Sequence, residues 1–397
     1  MKRHLLYGLT IGALSLFISA CQSTSSNEIG TITIPVNKNL VQTDQISLKD
    51  DVVKIEYIPL ETNDSCLISN VLSLQVSKEY LFLYNGKTNQ VLQFDRTGKY
   101  ITTIGRTGNG PGEYGLVSDL AIDENNRQLY IFQLGKAPVA YSFDNQFLFA
   151  DTTLQMVSNM ALLRNKRRAL KGQILVPNAW LAAIQNEEGV IVDEVYPYPS
   201  TLPKEVCYMG NVIFSSSGNN ALAFTTCNDT VFRLTDKGII PAYYLERENR
   251  KEFYSDVADI RQRKNTPIQD ADIDLYDLFE TPNYLYLRVS KAGQIYIQRY
   301  SKSGHLGLSC QVPDDYLACS FGIPGNNVIG ITNDVDNGVP FWPEFSINEN
   351  MRAQMLTYDL ISGLQEKGYL EDMPEVLRAV KEDDNPIVIL YTFKSAK

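Results

Sequence analysis

The stretch 91-VLQFDRTGKYITTIG-105 decides the fold. A run of Val, Leu and Phe ends in Asp95-Arg96-Thr97-Gly98, and a second run of β-formers follows, as a tight hairpin requires. The same order (a large apolar residue, then Asp, Ser or Thr, two turn residues and Gly) recurs as Leu234-Thr235-Asp236-Lys237-Gly238 and Tyr300-Ser301-Lys302-Ser303-Gly304. Looser copies are Phe143-Asp144-Asn145-Gln146 and Ile184-Gln185-Asn186-Glu187-Glu188-Gly189. The anchors at 94, 143, 184, 234 and 300 lie 49, 41, 50 and 66 residues apart. A period of about 40 to 50 residues with four short strands per unit is that of a propeller blade. Five anchored units and a last one predict an all-β chain, a six-bladed β-propeller.

Working outward, the 66-residue gap holds the charged segment 246–273, expected to be a helical or loop insertion. The last unit is expected to comprise 326-NNVIGITND, an insertion at about 347–383 with apolar residues at helical spacing, and the strand 386-PIVILYTFK. An unpaired outer strand would leave an aggregating edge, so Val52-Val53-Lys54-Ile55-Glu56-Tyr57-Ile58 is expected to complete the last blade. The chain then divides into a leader at 1–20, a tether at 21–50 and one closed ring at 51–397. Within the tether only Ile32-Thr33-Ile34 suggests an edge strand.

Composition excludes several functions. With 46 acidic against 36 basic residues and a formal charge of −10, the chain lacks the basic footprint that nucleic acid requires. It has two histidines, and His4 lies in the leader. A Ser/His/Asp triad would have to be built on His305, and a site of several histidines cannot be built.

Lys2 and Arg3, the apolar stretch at 5–20 and the polar QSTSSNE after it read as a cleaved export signal. Ile18-Ser19-Ala20-Cys21 resembles the bacterial lipobox, which implies that Cys21 is lipidated and becomes the first residue. Gln22 rather than Asp at the next position, and no acidic cluster after it, imply an outer-membrane protein facing the periplasm rather than the surface.

The stretch 91–132 resembles an NHL-type propeller repeat. Taken with 55-IEYIPLET-62, the loop 105-GRTGNGPGEY-114 and the terminal NPIVILYTFK, it resembles the six-bladed β-propeller lipoproteins of Bacteroides-type bacteria. That resemblance covers about 50–397 and implies a lipid-anchored envelope protein, with no catalytic residues to carry over.

The glycine-rich loop lacks dinucleotide-fingerprint spacing, and its glycines suit a tight crossover between blades. The functional alternative is that Arg106, Glu113 and Tyr114 project at the propeller face and line a binding surface. Trp342, in 340-PFWPEF, is either a sugar-stacking ring or a packing anchor. Asp334-x-Asp336-x-Gly338 spaces oxygens as Ca²⁺ loops do, and Asp270, Asp272, Asp274 and Asp277 form an acidic run. Neither continues to a bidentate acid, so both are expected to be solvated loops and no cofactor is called for, Ca²⁺ being the alternative. The cluster Arg164, Lys166, Arg167, Arg168 and Lys171 reads as a hairpin turn, or as a contact for an anionic glycan or headgroup. Asp119 and Asp123, near an inner strand, are the acids to watch in the channel.

The expected function is therefore a monomeric binding or scaffold module for an envelope protein or glycan. The alternative is a Ca²⁺-dependent hydrolase or lyase acting on a lactone or glycan. A ring of acids in the channel would favour the enzyme; a narrowed channel would favour binding on a face.

Overall fold

The computed structural model describes residues 30–173, 179–197, 212–225, 228–247, 274–291, 294–302, 307–312, 330–368, 370 and 372–396. Three strands come first: β1 (Ile32–Pro35), β2 (Leu40–Gln42) and β3 (Val52–Pro59). Blade 1 holds β4 (Val71–Val76), β5 (Tyr80–Asn85), β6 (Gln90–Asp95) and β7 (Tyr100–Ile104). Blade 2 holds β8 (Val117–Asp123), β9 (Gln128–Gln133), β10 (Lys136–Ser142) and β11 (Phe147–Ala150). Blade 3 holds β12 (Val157–Leu162), β13 (Arg168–Gly172), β14 (Ala182–Gln185) and β15 (Ile191–Val195). Blade 4 holds β16 (Val212–Ser217), β17 (Asn220–Thr225), β18 (Thr230–Thr235) and β19 (Gly238–Glu246). Blade 5 holds β20 (Asp274–Glu280), β21 (Tyr284–Lys291), β22 (Gln294–Ser301) and β23 (Gly307–Gln311). Blade 6 has β24 (Phe345–Asn348), β25 (Met351–Leu356) and β26 (Ile387–Phe393), and β3 completes it as the fourth strand. β3 runs antiparallel to β26, from Val52 opposite Phe393 to Pro59 opposite Ile387, so the two ends of the chain close the ring as expected.

Blades stacked side by side are covered on both faces, so their middle strands are unbroken apolar runs rather than alternating ones. Leu81–Tyr84, Leu129–Phe132 and Ile387–Tyr391 are all buried. The core is a set of six clusters, each between two neighbouring blades. They differ in material: blades 3 and 4 meet on Ala161, Ala169, Ala182, Ala221 and Ala223, whereas blades 5 and 6 meet on Phe279, Tyr286, Phe341, Trp342 and Tyr391.

The repeated hairpin joins the third strand to the fourth in each of blades 1 to 4, and in blade 5 the turn after Lys302 lies outside the described residues. In blade 1 the Asp95 carboxylate accepts from the Thr97 and Lys99 amides, and Gly98 takes φ +90°. A Cβ at Gly98 would lie 2.0 Å from the Pro59 carbonyl oxygen. The looser copies are offset from their expected anchors. In blade 2 the turn runs from Ser142 to Gln146, with Asn145 at φ +61° in the place of glycine, so Tyr141 rather than Phe143 is the anchor. In blade 3 Asn186 opens the turn, which moves the anchor from Ile184 to Gln185.

Two expectations fail on the sheet topology. The segment up to residue 50 is not free tether: the edge strand expected at Ile32-Thr33-Ile34 forms as β1 and adds in parallel to β19, and β2, which was not expected, adds in parallel to β23, giving blades 4 and 5 a fifth strand. Ile34 and Val36 are wholly buried there. The 347–383 insertion is also shorter than expected. Asn348-Glu349-Asn350 is a turn closed by the Asn350 amide on the Asn348 side chain, and Met351–Leu356 is a central strand. Only 357–386 is inserted, with helices α1 (Tyr358–Glu366) and α2 (Glu375–Arg378). The leader with Cys21, most of the 246–273 segment, His305, Cys207, Cys227, Cys319 and residues 326–329 lie outside the described residues. Cys66 and Cys310 are free thiols.

A buried carboxylate ties the blades on the strapped side. Glu280, 2% exposed, accepts from Arg233 at 2.7 Å, the Tyr243 hydroxyl at 2.6 Å and Lys302 at 2.8 Å, while Arg352 of blade 6 donates to its backbone carbonyl at 2.5 Å. Burial alone would raise its pKa, but the Arg233 and Lys302 cations outweigh burial and hold it at about 2.

Candidate functional site

The connections after the second and fourth strands of every blade emerge at one end of the ring, because the strands alternate in direction. That end carries the 105–116 loop, the crossover containing 330–344 and the 357–386 insertion.

The glycine-rich loop folds back on blade 2. The Tyr141 hydroxyl donates to the Gly112 carbonyl, Lys136 donates to Asn109, and the Gly115 amide donates to Gln133. Glu113 accepts from the Gly110 amide at 2.8 Å and pairs with Arg106 at 2.8 Å, which together hold its carboxyl below the usual range. The Arg106 side chain is 82% exposed. Tyr114 does not join them at the surface. It is wholly buried, its hydroxyl donating to the Ile104 carbonyl at 3.0 Å and accepting from the Val91 amide at 3.2 Å. Only Arg106 and the edge of Glu113 therefore face solvent. Trp342 is 3% exposed, packs edge-on to Phe279 and donates Nε1 to Asp277 at 2.9 Å. It is the packing anchor of the two readings and offers no free ring face.

The acids also have partners. Asp334 caps the 3₁₀ turn at Leu48–Asp50, accepting from the Ser47 hydroxyl and from the Leu48 and Lys49 amides. Asp336 accepts from the Tyr57 hydroxyl, the Asn333 side chain and the Gly338 amide. These oxygens are joined to donors of the protein rather than solvated. Asp277 belongs to β20 and lies beside Arg288, whose guanidinium sits 5.0 Å above the Trp342 ring. Burial pushes Asp277 up against the pull of Arg288 and pushes Arg288 down. Glu344 precedes β24; its Oε2 is buried without a partner among the described residues, and burial raises it to about 8 against the Met355 amide.

The inner strands hold a polar belt that the repeat reading missed. β4, β8, β12 and β20 each carry a β-bulge, and the residue that follows is Ser73, Asp119, Asn159 or Asp277. Bulges re-aim side chains. Asp119 accepts from Ser73 of blade 1 at 2.6 Å, from Asn159 of blade 3 at 2.5 Å and from the Leu120 amide at 2.8 Å. The signal lay in 71-VLSL, 117-VSDL, 157-VSNM and 275-LYDL, an inner-strand motif less conspicuous than the glycine turns. Across the ring, β16 touches β24 directly, and the Ser346 hydroxyl donates to the Ser216 carbonyl at 3.3 Å. Blades 4 and 6 thus meet at the centre in front of blade 5, which narrows the channel.

These features define a six-bladed β-propeller whose channel acid is bonded to neighbouring blades. The chain belongs to the family described as DUF4934, a domain of unknown function, which matches residues 31–392. Among solved structures it is similar to an exported protein of Bacteroides fragilis, at 18% identity and a TM-score of 0.68, over 92% of this chain and 100% of that one. It is also similar to a DUF4221 family member from Bacteroides vulgatus, at 10% identity and a TM-score of 0.46, over 86% of this chain and 97% of that one. A virginiamycin B lyase from Staphylococcus aureus matches at 14% identity and a TM-score of 0.38, over 66% of this chain and 74% of that one. No curated protein matches the chain.

Proposed function

We propose that the chain is a binding or scaffold module of the bacterial envelope, anchored by lipid on Cys21 in the outer membrane and facing the periplasm. Its partner is an envelope protein. The observation that carries this reading is the narrowed channel: β16 meets β24 across it, and Asp119 is already bonded to Ser73, Asn159 and the Leu120 amide. An acid held by three donors serves to position the blades more readily than to move protons. Binding then falls to the end of the ring that bears the long connections. Arg106 is an exposed cation there, set by Glu113.

Affinity capture from envelope extract tests the reading. Arg106→Glu is expected to release the partner that the parent chain retains. Retention of every partner would remove this surface from consideration, and capture of glycan alone would replace the protein partner. Fractionation of Cys21→Ala tests the anchor: the variant is expected to leave the membrane fraction, and its staying there would overturn lipidation.

A further inference from the structure

The opposite end of the ring carries the hairpins after the first and third strands, and their seams are unequal. Between blades 1 and 2 the hairpins are bridged: Arg127 pairs with Glu79 at 2.6 Å, and the Lys78 amide donates to Glu124 at 3.2 Å. Between blades 3 and 4, Asn165 donates to Asp236 at 2.8 Å. Between blades 2 and 3 the hairpins stand apart and leave a cleft of about 390 Å³, within the range of small-ligand sites.

The chemistry of this cleft is mixed and placed. The turn Arg164-Asn165-Lys166-Arg167 has positive φ at both central residues, 56° and 55°, so it is a tight two-residue hairpin. Lys166 is paired with Glu187, and Arg168 is paired with Asp151 at 2.7 Å. Arg167 lines the cleft with no ion-pair partner among the described residues. The cleft is also lined by Asp123, whose largely buried carboxylate accepts from the Asn126 amide at 3.1 Å and the Asn126 side chain at 2.7 Å, and by Tyr130, whose hydroxyl donates to Gln128 at 3.2 Å. A site for a bare anion presents donors alone. This one presents carboxylate and amide acceptors beside one uncompensated guanidinium, which is what a polyhydroxylated ligand with a single carboxylate satisfies.

We infer that the cleft between the blade 2 and blade 3 hairpins binds an acidic sugar, a uronic-acid residue of a glycan, with Arg167 on the carboxylate and Asp123 and Glu187 on hydroxyls. The site lies at the other end of the ring from Arg106 and stands or falls without the protein-binding reading.

Calorimetric titration of the whole mature protein tests this, with glucuronate- and galacturonate-containing disaccharides, their neutral counterparts and a Glu-rich peptide as probes. At least one acidic disaccharide is expected to bind about tenfold tighter than its neutral counterpart, and Arg167→Ala is expected to remove about that factor while the melting temperature holds. Arg167→Lys should restore part of the affinity. Equal binding of acidic and neutral sugars, no sugar binding, equal binding of the peptide, or indifference to Arg167→Ala would each overturn the inference.

Discussion

Blades 1 to 3 and blades 4 to 6 are built on the same four-strand plan and held in different ways. The first three are local: each blade is one continuous piece of chain, has no fifth strand among the described residues and is tied to its neighbours by inner-strand hydrogen bonds such as those of Asp119. Phe147, Leu148 and Phe149 on β11 are 38–44% exposed. The other three are held from outside by β1, β2 and β3, and from within by Glu280 and a large aromatic cluster. A four-strand repeat thus reaches closure by local regularity on one side and by distant strands and buried charge on the other.

Five substitutions, one of them followed across a pH titration, would break or sharpen that contrast. Glu280→Ala leaves Arg233 and Lys302 facing a buried void, and denaturant unfolding should show a loss of about 3–5 kcal/mol. Ile34→Ala loosens the β1 strap on blade 4 and should cost about 2–4 kcal/mol; a loss under about 0.5 kcal/mol would mean that the strap only decorates the ring. Asp119→Ala, on the unstrapped side, removes an acceptor shared by three donors and should cost about 2 kcal/mol. If it costs more than Glu280→Ala, the contrast between the halves is reversed.

The pH dependence separates two acids of the strapped half. Glu280 sits at about 2 in the fold against an ordinary 4.5, so its contribution is present above about pH 4.5 and is lost as pH falls toward 2. Glu344 is raised to about 8, so its contribution is full below about pH 4.5 and is lost as pH rises through 8. Melting curves of Glu344→Gln should flatten the alkaline limb and leave the acid limb unchanged; an unaltered alkaline limb would move the titrating group elsewhere. The smallest effect is that of Arg106→Ala. Its pair with Glu113 is exposed and screened by solvent, so thermal melting should barely move.

The ring and its closure could be read from sequence because glycine turns and unbroken apolar strands leave strong local marks. The pairing of the straps could not: β1 was legible as an edge strand, but not the blade it joins, and β2 left no mark. β1 and β2 are four and three residues long, and their partners lie more than 200 positions away. The 347–356 segment misled because Met351, Ala353 and Met355 are spaced for a strand inside a longer stretch that does hold helices. Tyr114 looked exposed because glycines surround it, yet its ring turns inward and its hydroxyl donates to the Ile104 carbonyl. The basic cluster was rightly expected at a hairpin turn, whereas the gap beside it depends on the neighbouring blade, which no local pattern records.

The closing strand also orders events in time. Val52 pairs with Phe393, and β1 and β2 pair with strands of blades 4 and 5, so residues 32–59 have no β-partner among the nearby strands that emerge with them. The earliest-made part of the propeller must wait for the latest-made part. Contacts of such sequence separation form slowly, and until they form, the β26 edge and the buried faces of the strap remain open. The ring is a molecule in which β3, made before any blade, is the last strand to find its partner.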